Sequence, residues 1–441
     1  MERKENKPEV AMAIDIGTTK ICAIAGYRNS LGKLEILGLG NVVSAGVLRG
    51  VVTNIERTVS AIREALEIAR RSAETEGNHV HVGVAGQHIR TIQHRGQLVR
   101  ESADQEISQK DIDRLVHDMH KLVLPPGDKI LHAFPQEFSV DAEQGILDPI
   151  GMSGVHMAAN FHIITGHISA TNNILRCVER AEAKVTQLTL EPIASAMAVL
   201  GEEEKQAGVV LVDIGGGTTD ITVFHEGIIR HTAVIPLGGN IVTRDIKEGC
   251  NIMPQDAESL KTKFGSALAE EVFDNRIISI PGIRGREPKE IAERNLALII
   301  QARMEEILDY VFNEINQCMD CRKLVAGIVL TGGGSLLRHL DKLVEYHTGM
   351  PARVGLPVEH LAHGYSEVLC SPIYATAIGL LMGAIDHQTN AKVSLQESDK
   401  KGEDLPMEPS GFGKTRTGFL DTLIGKTREW FETEADSDLN G

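Results

Sequence analysis

The sequence predicts a layered α/β protein made of two duplicated halves. Two observations carry this reading. From Val10 to about Asp386, strand-like runs of β-branched and small apolar residues alternate with helix-like runs whose apolar residues recur at helical spacing. In addition, "AIDIGTTKICAIAG" from Ala13 returns as "LVDIGGGTTDITVFHEG" from Leu211, with the Asp-Ile-Gly core and the Thr-Thr pair kept. A repeat of this kind suggests duplicated domains facing one another. The 441 residues suffice for about three domain-sized units around a large core.

Taken in order, "VAMAIDIG" and "KICAIAGY" are apolar strands split by a Gly-Thr turn. Residues Asn54 to Glu74, "NIERTVSAIREALEIARRSAE", have the period of an amphipathic helix. From Gly83 to about Thr165 the texture changes to short strands around one capped helix, "SQKDIDRLVHDMHKLV", starting at Ser108, and this stretch reads as a compact insertion. A second, helix-rich insertion from Arg244 to about Ala302 carries the basic loop "PGIRGREPK". Beyond Asp386 the polar run "HQTNAKVSLQESDKKGEDLPMEPSG" reads as a disordered linker.

Composition narrows the function classes. A net charge of −16 argues against a nucleic-acid partner and against loose attraction of the whole body to an anionic membrane. The charged opening "MERKENKPEV" leads straight into a strand-like run and reads as no secretory signal. No stretch is apolar for the roughly 18 residues that a spanning helix needs. The six cysteines are scattered, as suits a reducing compartment. Cys318 and Cys321 form one CxxC with no second ligand pair, and the 17 histidines show no HExxH spacing. His79 and His81, in "HVHV", fit one face of a strand.

The chemistry concentrates in the glycine turns. Each repeat ends a buried strand on an Asp, turns through Gly and Thr, and starts a second strand. Glycine lets backbone N–H groups approach an anion without a Cβ in the way, and threonine hydroxyls add donors. Asp15 and Asp213 can hold a hydrated Mg2+, which keeps several waters and uses few carboxylates. Two such hairpins facing one another would clamp a triphosphate, whereas either alone could be only a tight β-turn. Neither a Walker A loop nor a GxGxxG is present. "LTGGGSLL" (Leu330 to Leu337) reads as a strand running into a helix through three glycines, where a backbone can approach adenosine and phosphate. In "DAESLKTKFG", Glu258 and Lys261 lie three apart on one helix face, within reach of a ribose or simply solvated.

This order of parts resembles the actin/Hsp70/hexokinase ATPase superfamily, and the resemblance narrows further. "DIGTTKICAIAG", "PQEFSVDAEQGILDPIGMSGVHM", "VDIGGGTTDITVF", "VIPLGGNIVTRDI", "GIVLTGGGSLL" and "PIYATAIGLL" are similar to the FtsA family of bacterial cell-division actin homologues, from about Val10 to Asp386. The segment from Phe134 to Met157 is the most specific, since it falls in the subdomain that distinguishes this family from other actins. The resemblance implies an actin-like (ribonuclease H-like) ATPase fold with ATP and Mg2+ between two lobes. The first-lobe core would span 8–82 and 166–205, interrupted by the family-specific subdomain at 83–165. The second-lobe core would begin at 206–243, followed by an FtsZ-binding subdomain at 244–302, with the rest of the second-lobe core and the return to the first lobe at 303–386. A linker at 387–411 and a membrane-binding helix at 412–432 complete the chain.

By the same resemblance, the first phosphate loop is Asp15, Gly17, Thr18, Thr19 and Lys20, and the second is Asp213, Gly215, Gly216, Gly217 and Thr218. Gly239 joins the nucleotide site, Gly332, Gly333 and Gly334 meet the adenosine, and Glu258 and Lys261 lie near the ribose. Glu191, in "LEPIASAMAVL", stands where the superfamily orients the attacking water, or it only caps the helix that follows. Hydrolysis would be slow at most, with ATP acting mainly as a conformational ligand. Expected partners are further copies in a filament, the C-terminal peptide of FtsZ, later divisome membrane proteins and the lipids of the cytoplasmic membrane at the division site. Arg276, Arg284, Arg286 and Lys289 suit an acidic FtsZ peptide, or form a merely solvated loop. A sugar kinase or exopolyphosphatase of this fold would need a substrate base and a second pocket, and neither signature is visible. A chaperone would need a substrate-binding β-domain after residue 386.

The single tryptophan lies in "TGFLDTLIGKTREWF". On a helix, Phe419, Leu420, Leu423, Ile424, Trp430 and Phe431 fall within an arc of about 140°. A helix of this length reaches about 20 Å, short of the ~30 Å hydrocarbon core, so it would lie in the membrane interface. Lys414, Arg416, Lys426 and Arg428 add local attraction to anionic lipid, and Trp430 suits the headgroup boundary. The other reading is a helix docked on protein.

Overall fold

The computed structural model describes residues 9–102, 104–274, 276–282, 287–319 and 321–400. The first lobe opens with strands β1 (Ala11–Ile16), β2 (Lys20–Arg28) and β3 (Leu34–Val43), a short pair β4 (Val47–Leu48) and β5 (Val51–Val52), helix α1 (Ile55–Ala73) and strand β6 (His79–Val84). The insertion follows as β7 (Arg90–Val99), α2 (Gln109–Met119), β8 (Asp128–Val140), β9 (Glu143–Ile146) and β10 (His156–His167). The chain returns through α3 (Ile168–Arg180), β11 (Lys184–Leu190), α4 (Glu191–Val199) and α5 (Glu202–Ala207). The second lobe contains β12 (Val209–Ile214), β13 (Thr219–His225), β14 (Ile228–Ile235), α6 (Gly239–Cys250), α7 (Pro254–Phe264), β15 (Ile277–Ile280) and β16 (Lys289–Ala292). It ends with α8 (Glu293–Cys318), β17 (Gly327–Thr331), α9 (Leu340–Thr348) and β18 (Ala352–Val354), after which α10 (Ala375–Lys400) crosses back to the first lobe.

The duplication is visible in the sheets. Their orders, β11-β6-β1-β2-β3 and β14-β13-β12-β17-β18, are the same arrangement, an antiparallel three-strand meander extended by two parallel strands. The central strands "AMAIDI" and "VVLVDI" are buried at every residue, because helices cover both faces. In the first lobe α1 lies over β2 and β3, while α10 lies over β1, β2 and β6. Asn54 starts α1 by accepting a hydrogen bond from Arg57 N at 3.1 Å. Helices α4 and α10 cross almost backbone to backbone: a Cβ on Gly379 would fall 1.8 Å from the Ala194 carbonyl oxygen.

The insertion is a four-stranded antiparallel sheet of order β7-β10-β8-β9 covered by α2. Its core gathers Phe138, Phe161, Ile112, Leu115 and Met157. Ser108 precedes α2 as expected, its N–H donating to Asp111 Oδ2 at 2.9 Å. The insertion also grips the second lobe. Gln136 donates to the carbonyls of Ile229 (2.7 Å) and Arg230 (3.1 Å), Arg230 pairs with Glu137 at 2.5 Å, and His162 meets Thr232 at 2.9 Å.

Three details differ from the sequence reading. Helix α10 runs on to Lys400, through the polar stretch assigned to a linker. That stretch has no Gly or Pro before Gly402, so its composition is compatible with a helix as well as with a coil. The expected boundary after Ala302 falls inside α8, a single helix that belongs to the second-lobe core and to its subdomain alike. The three glycines after β17 enter a 3-10 turn, Gly333–Leu336, and α9 starts only at Leu340.

Three of the buried histidines, His81, His132 and His162, are held neutral. His81, beside Thr189 at 2.6 Å, is pushed down to about 3 by burial and by its neighbours His387 and His132. His132, stacked on Phe134, and His162 are each pushed to about 4, chiefly by burial. In the unfolded chain each takes a proton near pH 6.5. Their contribution to stability is therefore complete above pH 6.5 and is lost as the pH falls towards 4. At pH 5 the expected loss is about 2 kcal/mol per histidine, at roughly 1.4 kcal/mol per pH unit. Urea unfolding at pH 7.5 and pH 5, run on the native chain and on a His162→Gln variant, separates the histidine part from the opposing effect of the buried carboxyls, and an equal change between the two pH values in both proteins would refute the assignment.

Candidate nucleotide site

Both Gly-Thr turns are tips of β-hairpins. Asp15 and Asp213 lie at matching places near the ends of β1 and β12, opposite Cys22 and Asp220 respectively. The two tips meet. A Cβ on Gly216 would fall 1.8 Å from Thr19 Oγ1, and one on Gly217 would fall 2.6 Å from Thr18 Oγ1. Only glycine permits this approach between the lobes. With the tips in contact, a triphosphate fits between them only once the lobes part. Two cavities have other linings: one of about 530 Å3 is formed by Arg63, Arg70, Glu74 and Glu182, among others, and one of about 330 Å3 by Arg90, Leu190, Pro192, His231 and Glu314, among others.

The other expected residues gather around the second tip. Gly239 starts α6, and its N–H donates to the Gly215 carbonyl at 2.9 Å. Lys261 reaches from α7 to the Gly239 carbonyl (3.0 Å), Thr243 Oγ1 (2.8 Å) and Glu258 (2.8 Å). Glu258 and Lys261 are thus the tie between α7 and the start of α6 rather than a freely solvated face. Gly332 takes φ of +77°, and a Cβ there would lie 2.2 Å from Asp213 Oδ1, so the third glycine motif closes directly on the second loop. At Gly333 the nearest atom to an added Cβ is Ile373 Cγ1 at 3.8 Å, so the protein leaves space there.

The floor is acidic. Asp15, Asp213 and Asp220 are buried. Lys20 pairs with Asp15 at 2.6 Å; burial alone would lower its pKa, but Asp15 and its other neighbours hold the ammonium well above the usual lysine range. Glu191 is the first residue of α4, and burial followed by Asp15, Asp220 and Asp213 pushes its carboxyl well above the usual range, with Lys20 pulling the other way. Burial and Asp213 push Asp220 up to about 8 against a hydrogen bond from Thr218. Among the described residues no group of three or more His, Cys, Asp or Glu is placed to hold a metal directly. The donor set fits a hydrated Mg2+ instead: clustered carboxylates, with Asp220 Oδ1 buried and without a hydrogen-bond partner in the protein.

Asp220, Ser195 and Thr376 were not singled out from the sequence. Only Asp220 left a signal there, because a "DIGGGTTD" hairpin sets its two aspartates side by side across the strands. Arg276 and Lys289 lie elsewhere, at the β15–β16 hairpin, where the Arg276 guanidinium is exposed and 3.6 Å from Glu293. Arg284 and Arg286 lie outside the described residues, as do Phe419, Leu420, Leu423, Ile424, Trp430 and Phe431 with the whole expected C-terminal helix.

Comparison with known proteins decides the family. Over 97% of its length the chain is 38% identical to the cell division protein FtsA of Neisseria meningitidis, covering 99% of that protein. The chain belongs to the FtsA family of cell division proteins. It is also 37% identical to FtsA of Pseudomonas aeruginosa, over 91% of this chain and 95% of that one. The profile described as "Cell division protein FtsA" matches residues 210–379, and "SHS2 domain inserted in FTSA" matches residues 86–165, the β7–β10 insertion. Among solved structures, the PilM-PilN type IV pilus biogenesis complex superposes with a TM-score of 0.61 at 18% identity, over 85% of this chain and 98% of that one. MreB5 of Spiroplasma citri bound to ADP gives 0.51 at 15% identity, over 89% of this chain and 99% of that one. The fold is that of the actin-like ATPases.

Proposed function

We propose that this protein is an ATP-controlled adaptor of bacterial cell division. It binds ATP with Mg2+ between its lobes, assembles into filaments, and ties FtsZ to the cytoplasmic face of the membrane at the division site. There it also recruits later divisome membrane proteins. The observation that carries the nucleotide reading is the meeting of two Gly-Thr hairpins tip to tip over four acidic side chains. Membership of a cell-division family supplies the setting.

In this reading Thr18, Thr19, Gly215, Gly216, Gly217 and Thr218 hold the phosphates, and Gly332, Gly333 and Gly334 take the adenosine with Glu258 and Lys261 at the ribose. Asp15 and Asp213 hold hydrated Mg2+, which offsets phosphate charge when bound. Lys20 sits over Asp15 and beside the phosphate path. Glu191 lies beside Asp15, Asp213 and Asp220, where it can orient a water towards the phosphates. The ligand then acts through the lobes: ATP between the hairpin tips holds the lobes apart at one spacing and so selects one conformation for assembly.

The FtsZ peptide docks at the 244–302 subdomain, with Arg276, Arg284, Arg286 and Lys289 meeting its acidic groups. Reversing Arg276 and Lys289 together to Glu should weaken peptide affinity about tenfold and flatten its salt dependence. A fluorescence-anisotropy titration with the FtsZ C-terminal peptide measures this. Unchanged affinity would move the interface elsewhere.

A further inference from the structure

The segment Ile373–Thr376, leading into α10, adjoins all three glycine motifs. Ile373 faces Gly333, with 3.8 Å between its Cγ1 and the place a Cβ would occupy. The Tyr374 ring lies under Lys20 Nζ at 5.7 Å and its hydroxyl accepts from Asn41 at 3.1 Å. Thr376 Oγ1 lies 3.3 Å from Asp213 Oδ2 and 2.9 Å from Ser195 Oγ, and Ser195 Oγ donates to the same Asp213 oxygen at 2.7 Å. Asp213 is a second-lobe residue, yet both hydroxyls on this oxygen come from the helices α4 and α10 that cross in the first lobe.

We propose that Thr376 and Ser195 are positioning residues that hold the Asp213 carboxylate across the lobe junction and couple it to α10. Each hydroxyl has one proton. Ser195 gives its proton to Asp213 Oδ2, and Thr376 either reinforces the same oxygen or supports Ser195. This fixes the rotation of the carboxylate, so that Oδ1, the oxygen facing Gly332, is presented to one place in the cleft. A hydrated cation held by one or two carboxylates depends on that aim. Any shift of Asp213 when the lobes part on a ligand is felt at the first turn of α10.

The inference rests on the nucleotide reading above, and the experiment separates the two. Affinity for ATP is measured on the full chain by titration calorimetry, once with Mg2+ and once with excess EDTA. The variants are Thr376→Val, which keeps the shape and removes the hydroxyl, and Thr376→Ser, which restores it. Thr376→Val should weaken Mg-ATP binding about tenfold, the effect of one hydrogen bond to a charged group. It should change binding in EDTA by less than about twofold, and Thr376→Ser should recover wild-type values. An equal loss with and without Mg2+ would mark a merely structural role and overturn the inference, as would no loss at all. If the wild-type chain bound no ATP, the nucleotide reading itself would fail and take this inference with it.

Discussion

Gly333→Val should abolish ATP binding while leaving the fold intact. Most glycines of the site cannot be used for this test, since a side chain at Gly216 or Gly332 collides with protein atoms at 1.8 Å and 2.2 Å. Gly333 is different, because a Cβ there meets only Ile373 Cγ1 at 3.8 Å. The space it keeps open is spent on no protein group. A branched side chain in that space would overlap an adenosine, and steric exclusion of about 3 kcal/mol corresponds to a loss of about a hundredfold in affinity. Titration calorimetry with Mg-ATP reads the affinity, and thermal unfolding without ligand should move by no more than a few degrees. Wild-type affinity in a folded Gly333→Val variant would remove the third glycine motif from the site.

Truncation after Asp404 should release the protein from membranes while Mg-ATP binding stays within about twofold of the full chain. The removed segment holds Phe419, Leu420, Leu423, Ile424, Trp430 and Phe431, and among the described residues no helix is long and apolar enough to cross a bilayer. Burying those six side chains at about 25 cal/mol per Å2 supplies several kcal/mol, set against the ordering of a short helix. In the proposed reading one such helix would bind reversibly, and a filament carrying many of them would gain by avidity. Vesicle pelleting with 30% anionic lipid should show bound protein falling at least about tenfold on truncation, with Trp430→Glu part of the way. A truncated chain that pellets as well as the full one would refute the anchor.

How much of this was legible beforehand depended on whether local sequence decides the geometry. The hairpins were legible, because "DIGTTK" and "DIGGGTTD" combine a buried strand, a turn with glycine and a second strand within a few residues. Their duplication predicted two equivalent sheets, and the orders around β1 and β12 are equivalent. Ser195 and Thr376 were not legible. Each is an ordinary small residue on a helix, and it gains a role only where α4 crosses α10 against Asp213, a contact between distant parts of the chain. Asp220 lay in between: its pairing with Asp213 could be counted from the turn, but its burial could not. The end of α10 was misread for a different reason, since polar composition alone does not separate a helix from a coil.

The central claim is that one nucleotide is held at once by glycine motifs from both lobes. Hydrogen–deuterium exchange on the full chain, with and without Mg-ATP, tests it most directly. The account predicts slower exchange in three places together: Gly17–Lys20, Gly215–Thr218 and Gly332–Ser335. Protection confined to the motifs of one lobe, or none in any of the three, would contradict it.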